Sequence, residues 1–410
     1  DGGTGTDSVT QADGTNTWDI SAANDGDVTD IGSFASIENL TGGTGVDTFN
    51  IASGATLTSR ISGGSGSDSI VQADGTNTWT ISSPNAGDVT DIGDFTGIEN
   101  LTGGTGDDTF NIASGAHLSG DIDGGTGTDT INQADEFNIW NINTANAGNA
   151  TDIGDFASIE NLTGGTGDDT FNILTGATLT GHIDGGASGT DWILQQAGTN
   201  TWDITGADAG DVTDIGSFSG IGNLFGGSGA DTFNIASGAT LTGDINGSTG
   251  TDSITQADGA NTWDISTANA GDVTDIGSFS GIENLTGGTG NDTFDIASGA
   301  TLTGDITGGT GSDTITQADG ANTWDISGSD AGDVTDIGSF SSIENLTGGT
   351  GDDTFNIASG ATLTGGIAGG TGTDSITQAD GANTWDITGA DSGDVTDIGS
   401  FASIENLTGG

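Results

Sequence analysis

The sequence predicts an all-β chain wound as a parallel β-solenoid of about 20 residues per lap, with three laps to each repeat. Three observations carry the prediction. One 61-residue unit recurs along the 410 residues, apolar residues alternate with polar ones inside it, and a Gly- and Asp-rich turn returns at fixed spacing.

The repeat is read first, because it decides the architecture. Trp18, Trp79, Trp140, Trp202, Trp263, Trp324 and Trp385 stand 61 residues apart, with a single interval of 62. The segment "IENLTGG" or a variant starts at Ile37, Ile98, Ile159, Ile221, Ile282, Ile343 and Ile404. The extra residue falls in "GGASGTD" from Gly185. The chain therefore holds about 6.7 units, read as one continuous solenoid over residues 1–410.

A finer period lies inside the unit. The pattern G-G-x-G-x-D-x-apolar starts at Gly42, again at Gly63, and next at Gly103. Those intervals divide the unit into three laps, two of which open with the motif. The third lap, of the kind "GDVTDIGSFSGIENLT" from Gly271, lacks it.

Strands follow from alternation. Phe110 and Ile112 share one face, with Thr109 and Asn111 on the other; Trp263 and Ile265 oppose Thr262 and Asp264 in the same way. That period of two marks half-buried strands, and Gly/Asp clusters between them mark turns. In the third lap Val28, Ile31, Phe34, Ile37 and Leu40 recur every third residue, which reads as short strands broken by bends. Seven separate 61-residue globules, each with so few apolar residues, would be marginal; stacked laps about 4.8 Å apart are not.

Composition excludes several classes. The net charge is −59, with Arg60 the one Lys or Arg, and 53 of the 60 acids are Asp. Asp and the 79 Gly disfavour helix. Such acidity repels phosphates and excludes nucleic acid as a partner. Cys is absent, so neither disulfides nor thiolate metal sites form. No apolar run is long enough for a membrane helix.

The turn motif has its own chemistry. Glycine tolerates φ > 0, so three of them in five positions give a tight corner whose carbonyls turn one way. An Asp two residues on adds a carboxylate, and hard oxygen ligands on a flexible loop suit calcium. The bland alternative is that the Asp carboxylate accepts neighbouring backbone N–H groups with no metal.

"GGTGDDTFN" from Gly103 and "GGTGTDTIN" from Gly124 resemble the nonapeptide of the RTX, or haemolysin-type, calcium-binding repeat proteins. "FTGIENLTGG" from Phe95 is similar to segments that lead into those nonapeptides. The resemblance implies a right-handed β-roll, Ca2+ held between stacked turns, and bacterial secretion to the outside. Family rolls run nonapeptides back to back, whereas each lap here carries at most one. Carried over residue by residue, the motif Asp gives six pairs of candidate ligands: Asp47 with Asp68, Asp108 with Asp129, Asp169 with Asp191, Asp231 with Asp252, Asp292 with Asp313, and Asp353 with Asp374. "GGASGTD" has an extra residue before Asp191, and Ser248 replaces a glycine before Asp252.

Other features read as structural. "NLT" at Asn39, Asn100, Asn161, Asn284, Asn345 and Asn406 matches a glycosylation acceptor, but Asn at a corner also satisfies backbone groups. The repeated Trp, sharing a face with Ile, reads as core. His117 and His182 are isolated variants within the repeat. An active site would break the repeat at one place, yet the irregular stretches from Ala134, Gly185 and Gly220 lose acids rather than gain them.

The expected function is structural: a calcium-stabilised segment of an extracellular fibre, filament, adhesin stalk or surface layer. The chain starts inside "DGGTGTD" and stops inside "ENLTGG", which reads either as a segment of a longer array or as a chain that self-associates end to end. Divalent cations, the cell surface and extracellular polysaccharide are the expected partners. A solenoid that binds ice or polysaccharide is the alternative, and a polysaccharide-acting enzyme of β-helix fold is the weakest.

Overall fold

The computed structural model describes residues 1–134, 137–379 and 381–409. Those residues form strands, turns and bends, with no helix among them. Their strands fall into two long, mainly parallel sheets of repeating laps, the all-β solenoid that the repeat predicts. By internal contacts the chain divides into two compact units, residues 1–194 with 214–221, and residues 195–213 with 222–410. Each is built on the same plan.

The plan is visible in the unit that starts at Asn100. Asn100–Thr102 lies in one sheet, Thr109–Ile112 in the other, Ile122–Asp123 back in the first and Thr130–Gln133 in the second. Each crossing is a half-lap. Phe110 pairs with Ile131, and Leu101 with Ile122, both 21 residues on and in parallel register. This is the lap length that the motif spacing predicts.

The supposed third lap is something else. Ile139–Thr144, Ala147–Ala150 and Ile153–Ala157 form an antiparallel meander within one sheet, with Trp140 opposite Ala150 and Gly148 opposite Phe156. Asn146 (φ 51°) and Asp152 (φ 64°) make its two tight turns, and short polar side chains tolerate that left-handed backbone. The unit therefore makes two and a half laps rather than three. The next strand, Asn161–Thr163, joins the sheet opposite to the one that received Asn100–Thr102.

The core is a column of inward residues from both sheets. Trp79, Ile81, Phe110, Ile112, Ile131, Trp140 and Leu162 are all buried. Six of the repeated Trp, Trp18 to Trp324, stack on the Phe 31 residues later: the Trp79 and Phe110 rings lie 5.6 Å apart at 14°, and Phe95 meets Trp79 edge-on at 6.3 Å. Trp18, Trp79, Trp140, Trp202, Trp263 and Trp324 are core, as expected, and Trp385 is half-buried; consecutive ones lie in opposite sheets and not three laps along one column. Gln133 ties the meander to the preceding lap by donating Nε2–H to Thr151 O at 2.7 Å.

Candidate metal centre

The two leading glycines of the motif are needed for different reasons. At Gly103 a Cβ would collide with Oδ2 of Asp108 and the carbonyl oxygen of Gly124. At Gly104 the backbone takes φ +98°, a left-handed conformation that β-carbons resist. The corner turns the chain inward, so Asp108 enters the interior rather than the solvent, and all twelve motif aspartates are buried.

Each Asp caps the rung stacked against it. The Asn77 N–H donates to Asp108 Oδ1 at 2.6 Å, the Asp108 N–H to Asp129 Oδ1 at 2.7 Å, and the Asp129 N–H to Glu160 Oε2 at 2.8 Å. The result is a ladder, Asn–Asp–Asp–Glu, with one residue per rung. It recurs as Asn16–Asp47–Asp68–Glu99, with bonds of 3.0, 2.8 and 2.8 Å. It recurs again from Asn200, Asn261 and Asn322.

All six expected pairs are brought onto adjacent rungs. Asp169 donates its N–H to Asp191 Oδ1 at 2.7 Å despite the inserted residue. Asp231 does the same to Asp252, because Ser248 itself adopts φ 72°. After Asp191 the sequence has Gly222 where other units have Glu.

The second carboxylate oxygen is the unusual feature. Oδ1 accepts backbone N–H groups, but Oδ2 of Asp47, Asp68, Asp108, Asp129 and seven of their later counterparts is buried without a hydrogen-bond donor. At the first glycine this oxygen shares its space with a carbonyl oxygen, Gly124 O in the case of Asp108. Acceptors facing each other in a dry interior are costly unless a proton or a cation stands between them. Burial accordingly raises the pKa of Asp129, Asp191 and Asp252 to about 6, against the opposing effect of the N–H each accepts, and the preceding Asp raises it further.

Calcium takes about six to eight oxygen ligands, many of them backbone carbonyls. The ladder offers buried carboxylate oxygens that lack donors, beside carbonyl oxygens, and no nitrogen or sulfur ligand. That donor chemistry fits a hard cation. No group of three His, Cys, Asp or Glu converges among the described residues, so backbone carbonyls would have to complete the set beside the two aspartates.

The remaining candidates have plain structural roles. Asn100 of "NLT" accepts the Asp121 N–H through Oδ1 at 3.1 Å and donates to Asp68 O at 3.2 Å, satisfying backbone at the corner. The His182 ring nitrogens lie 2.8 Å from the hydroxyls of Ser217 and Ser219. Asp135 and Glu136, in the irregular stretch from Ala134, lie outside the described residues.

Sequence reasoning missed the ends of the ladder. The asparagine of "NTW" ("NIW" once) recurs in every unit and the glutamate of "IEN" in every unit but the one with Gly222, and each stands 31 residues from the Asp it serves. Asp7, paired with Glu38 at 2.9 Å, is a further rung of this kind. No protein-family model and no curated protein matches the chain.

Proposed function

We propose that this chain is a structural repeat segment of an extracellular fibre, filament, adhesin stalk or surface layer, stabilised by calcium and without enzymatic activity. The observation that carries the reading is the recurrence of one buried carboxylate ladder in unit after unit, each with carboxylate oxygens that lack a donor. A catalytic site is singular, whereas a feature repeated at every unit serves the whole length. The high negative charge suits a divalent-rich medium, because counterions relieve self-repulsion. Ions that bind only the folded chain stabilise it by mass action.

Thermal melts with millimolar calcium and with chelator test the reading. A midpoint that rises with calcium and not with sodium at matched ionic strength is expected. Identical midpoints would reduce the aspartates to turn formers. Electron microscopy of native material then separates filaments from isolated molecules.

One observation favours a second reading, polysaccharide binding. A shallow groove recurs at 61-residue spacing, on alternate sheets. It is bounded by Asp203, Ile204 and Asn234, then by Asp264, Ile265 and Asp295, then by Asp325, Ile326 and Asn356, with volumes of about 310, 250 and 360 Å³. An apolar floor with a carboxylate or amide rim suits a neutral sugar ring. Glycan-array binding that is lost on substituting Asp203, Asp264 and Asp325 together would support it.

A further inference from the structure

The asparagine at the head of each ladder is bonded more heavily than a cap requires. Asn77 Nδ2 donates to Gly75 O at 2.9 Å, Gly103 O at 3.1 Å and Asp108 Oδ1 at 2.9 Å. Asn16 Nδ2 repeats the set with Gly14 O, Gly42 O and Asp47 Oδ1 at 3.1, 3.4 and 2.7 Å. Asn200 repeats it with Gly198 O, Gly226 O and Asp231 Oδ1. Three oxygens, one of them a carboxylate, thus converge on one amide nitrogen in a buried place.

The next rung has the same backbone and a different side chain. Asn16 and Asp47 are direct register partners, and each donates its N–H to the Asp of the following rung. The Asp47 carboxylate therefore occupies the place that the Asn16 amide occupies one rung earlier. Where Asn presents hydrogens to carbonyl oxygens, Asp presents Oδ2, which has no donor and lies beside Gly63 O. The far end of the ladder is closed by an amide as well: Asn85 Nδ2 donates to Glu99 Oε1, and Asn146 Nδ2 to Glu160 Oε1, both at 2.8 Å. These two ladders have amides at both ends and orphaned carboxylate oxygens in the middle, whereas the ladder headed by Asn261 ends at Glu344 with Asp330 in the place of the closing asparagine.

We propose that the head asparagine stands in for a cation: its amide fills an oxygen cage of the kind the next two rungs leave to an ion, and so fixes where the ion-binding part of the ladder begins. Aspartate at this position would open one more site for a hard divalent cation. The proposal rests on the calcium reading for the middle rungs, but its own claim concerns the head position alone.

The test uses the full chain at pH 7.5 with Asn77→Asp, Asn261→Asp and Asn77→Ala. Calcium per chain is measured by equilibrium dialysis with elemental analysis, and rung stability by hydrogen exchange of the strand that follows residue 77 or 261. Each Asp variant is expected to bind about one more calcium than the parent. Its local protection should fall in chelator and return with millimolar calcium. Asn77→Ala should lose protection that calcium does not restore. Asp variants that bind no more calcium than the parent, and keep parental protection in chelator, would overturn the proposal. An Asp variant that fails to fold in chelator and folds with calcium supports it; one that folds in neither overturns it. The two readings separate cleanly. A parent that binds no calcium while Asn261→Asp binds one refutes the paired sites and supports the head position, and a parent that binds calcium with no gain in either variant does the reverse.

Discussion

The backbone N–H of Asp108 donates to Oδ1 of Asp129 at 2.7 Å, joining two rungs 21 residues apart through a carboxylate whose other oxygen has no donor. The two oxygens of Asp129 thus have opposite effects, and substitution separates them. Asp129→Asn keeps an acceptor for Asp108 and places an amide beside the carbonyls. It is expected to raise the melting midpoint in chelator and to weaken the response to calcium. Asp129→Ala removes the acceptor and should cost about 1–3 kcal/mol. An Asn variant less stable than the parent in chelator would contradict this account of Oδ2.

The same aspartates set a pH dependence. The folded pKa of Asp129, Asp191 and Asp252 is raised to about 6 by burial, from 3.8. The folded chain therefore binds protons more tightly than the unfolded chain. The resulting stability is fully present below the unfolded value and is lost as pH rises through about 6. In chelator the midpoint should climb as pH falls from 7.5 towards 4.5, and the climb should shrink in a variant with Asn at all three positions. Calcium should stabilise more at pH 7.5 than at pH 5, because protons compete for the same oxygens. A midpoint flat across this range would show that the buried carboxylates are not linked to folding.

Glycines of the unit differ in what they tolerate. Gly103 faces Asp108 Oδ2 and Gly124 O, so Gly103→Ala should cost about 1–3 kcal/mol by overpacking. Gly115 has φ +72° and open space around it, and Gly115→Asn should be nearly neutral because Asn adopts that backbone. Local hydrogen exchange around each site distinguishes the two cases. Equal losses would mean that close approach is not what selects glycine at the first position.

The Trp79 ring is fully buried against Phe110 and Phe95, and its indole N–H has no acceptor. Trp79→Ala should cost about 3–5 kcal/mol. Trp79→Phe keeps an aromatic stack and removes the unpaired N–H, so it should cost clearly less. Denaturant unfolding followed at the other tryptophans gives both values, and a Phe variant as damaged as the Ala variant would point to a hidden role for the indole nitrogen.

The alternation of Phe110 with Ile112 and the 21-residue return of the motif made the solenoid, its lap length and the six aspartate pairs legible in the sequence. The meander was not. Its middle strand turns Gly148 and Ala150 inward, residues too small to register as an apolar face, because the Phe156 ring occupies the room beside Gly148. The two left-handed turn residues, Asn146 and Asp152, also interrupt the alternation and leave a false period of three. The ladder's Asn and Glu escaped notice for another reason: the register that joins Asn77 to Asp108 spans 31 residues, the length of a lap with the meander inside it, and no local pattern reveals it.

The half-lap left over in every unit has a consequence for how such an array changes by recombination. Because successive units enter opposite sheets, deleting one unit keeps every rung paired but exchanges the faces of all that follows it. Deleting two restores them. The groove beside Asp264, for example, changes face with each unit removed ahead of it. A feature peculiar to one unit therefore keeps its face only in length variants that differ ahead of it by an even number of units, and changes face in those that differ by an odd number.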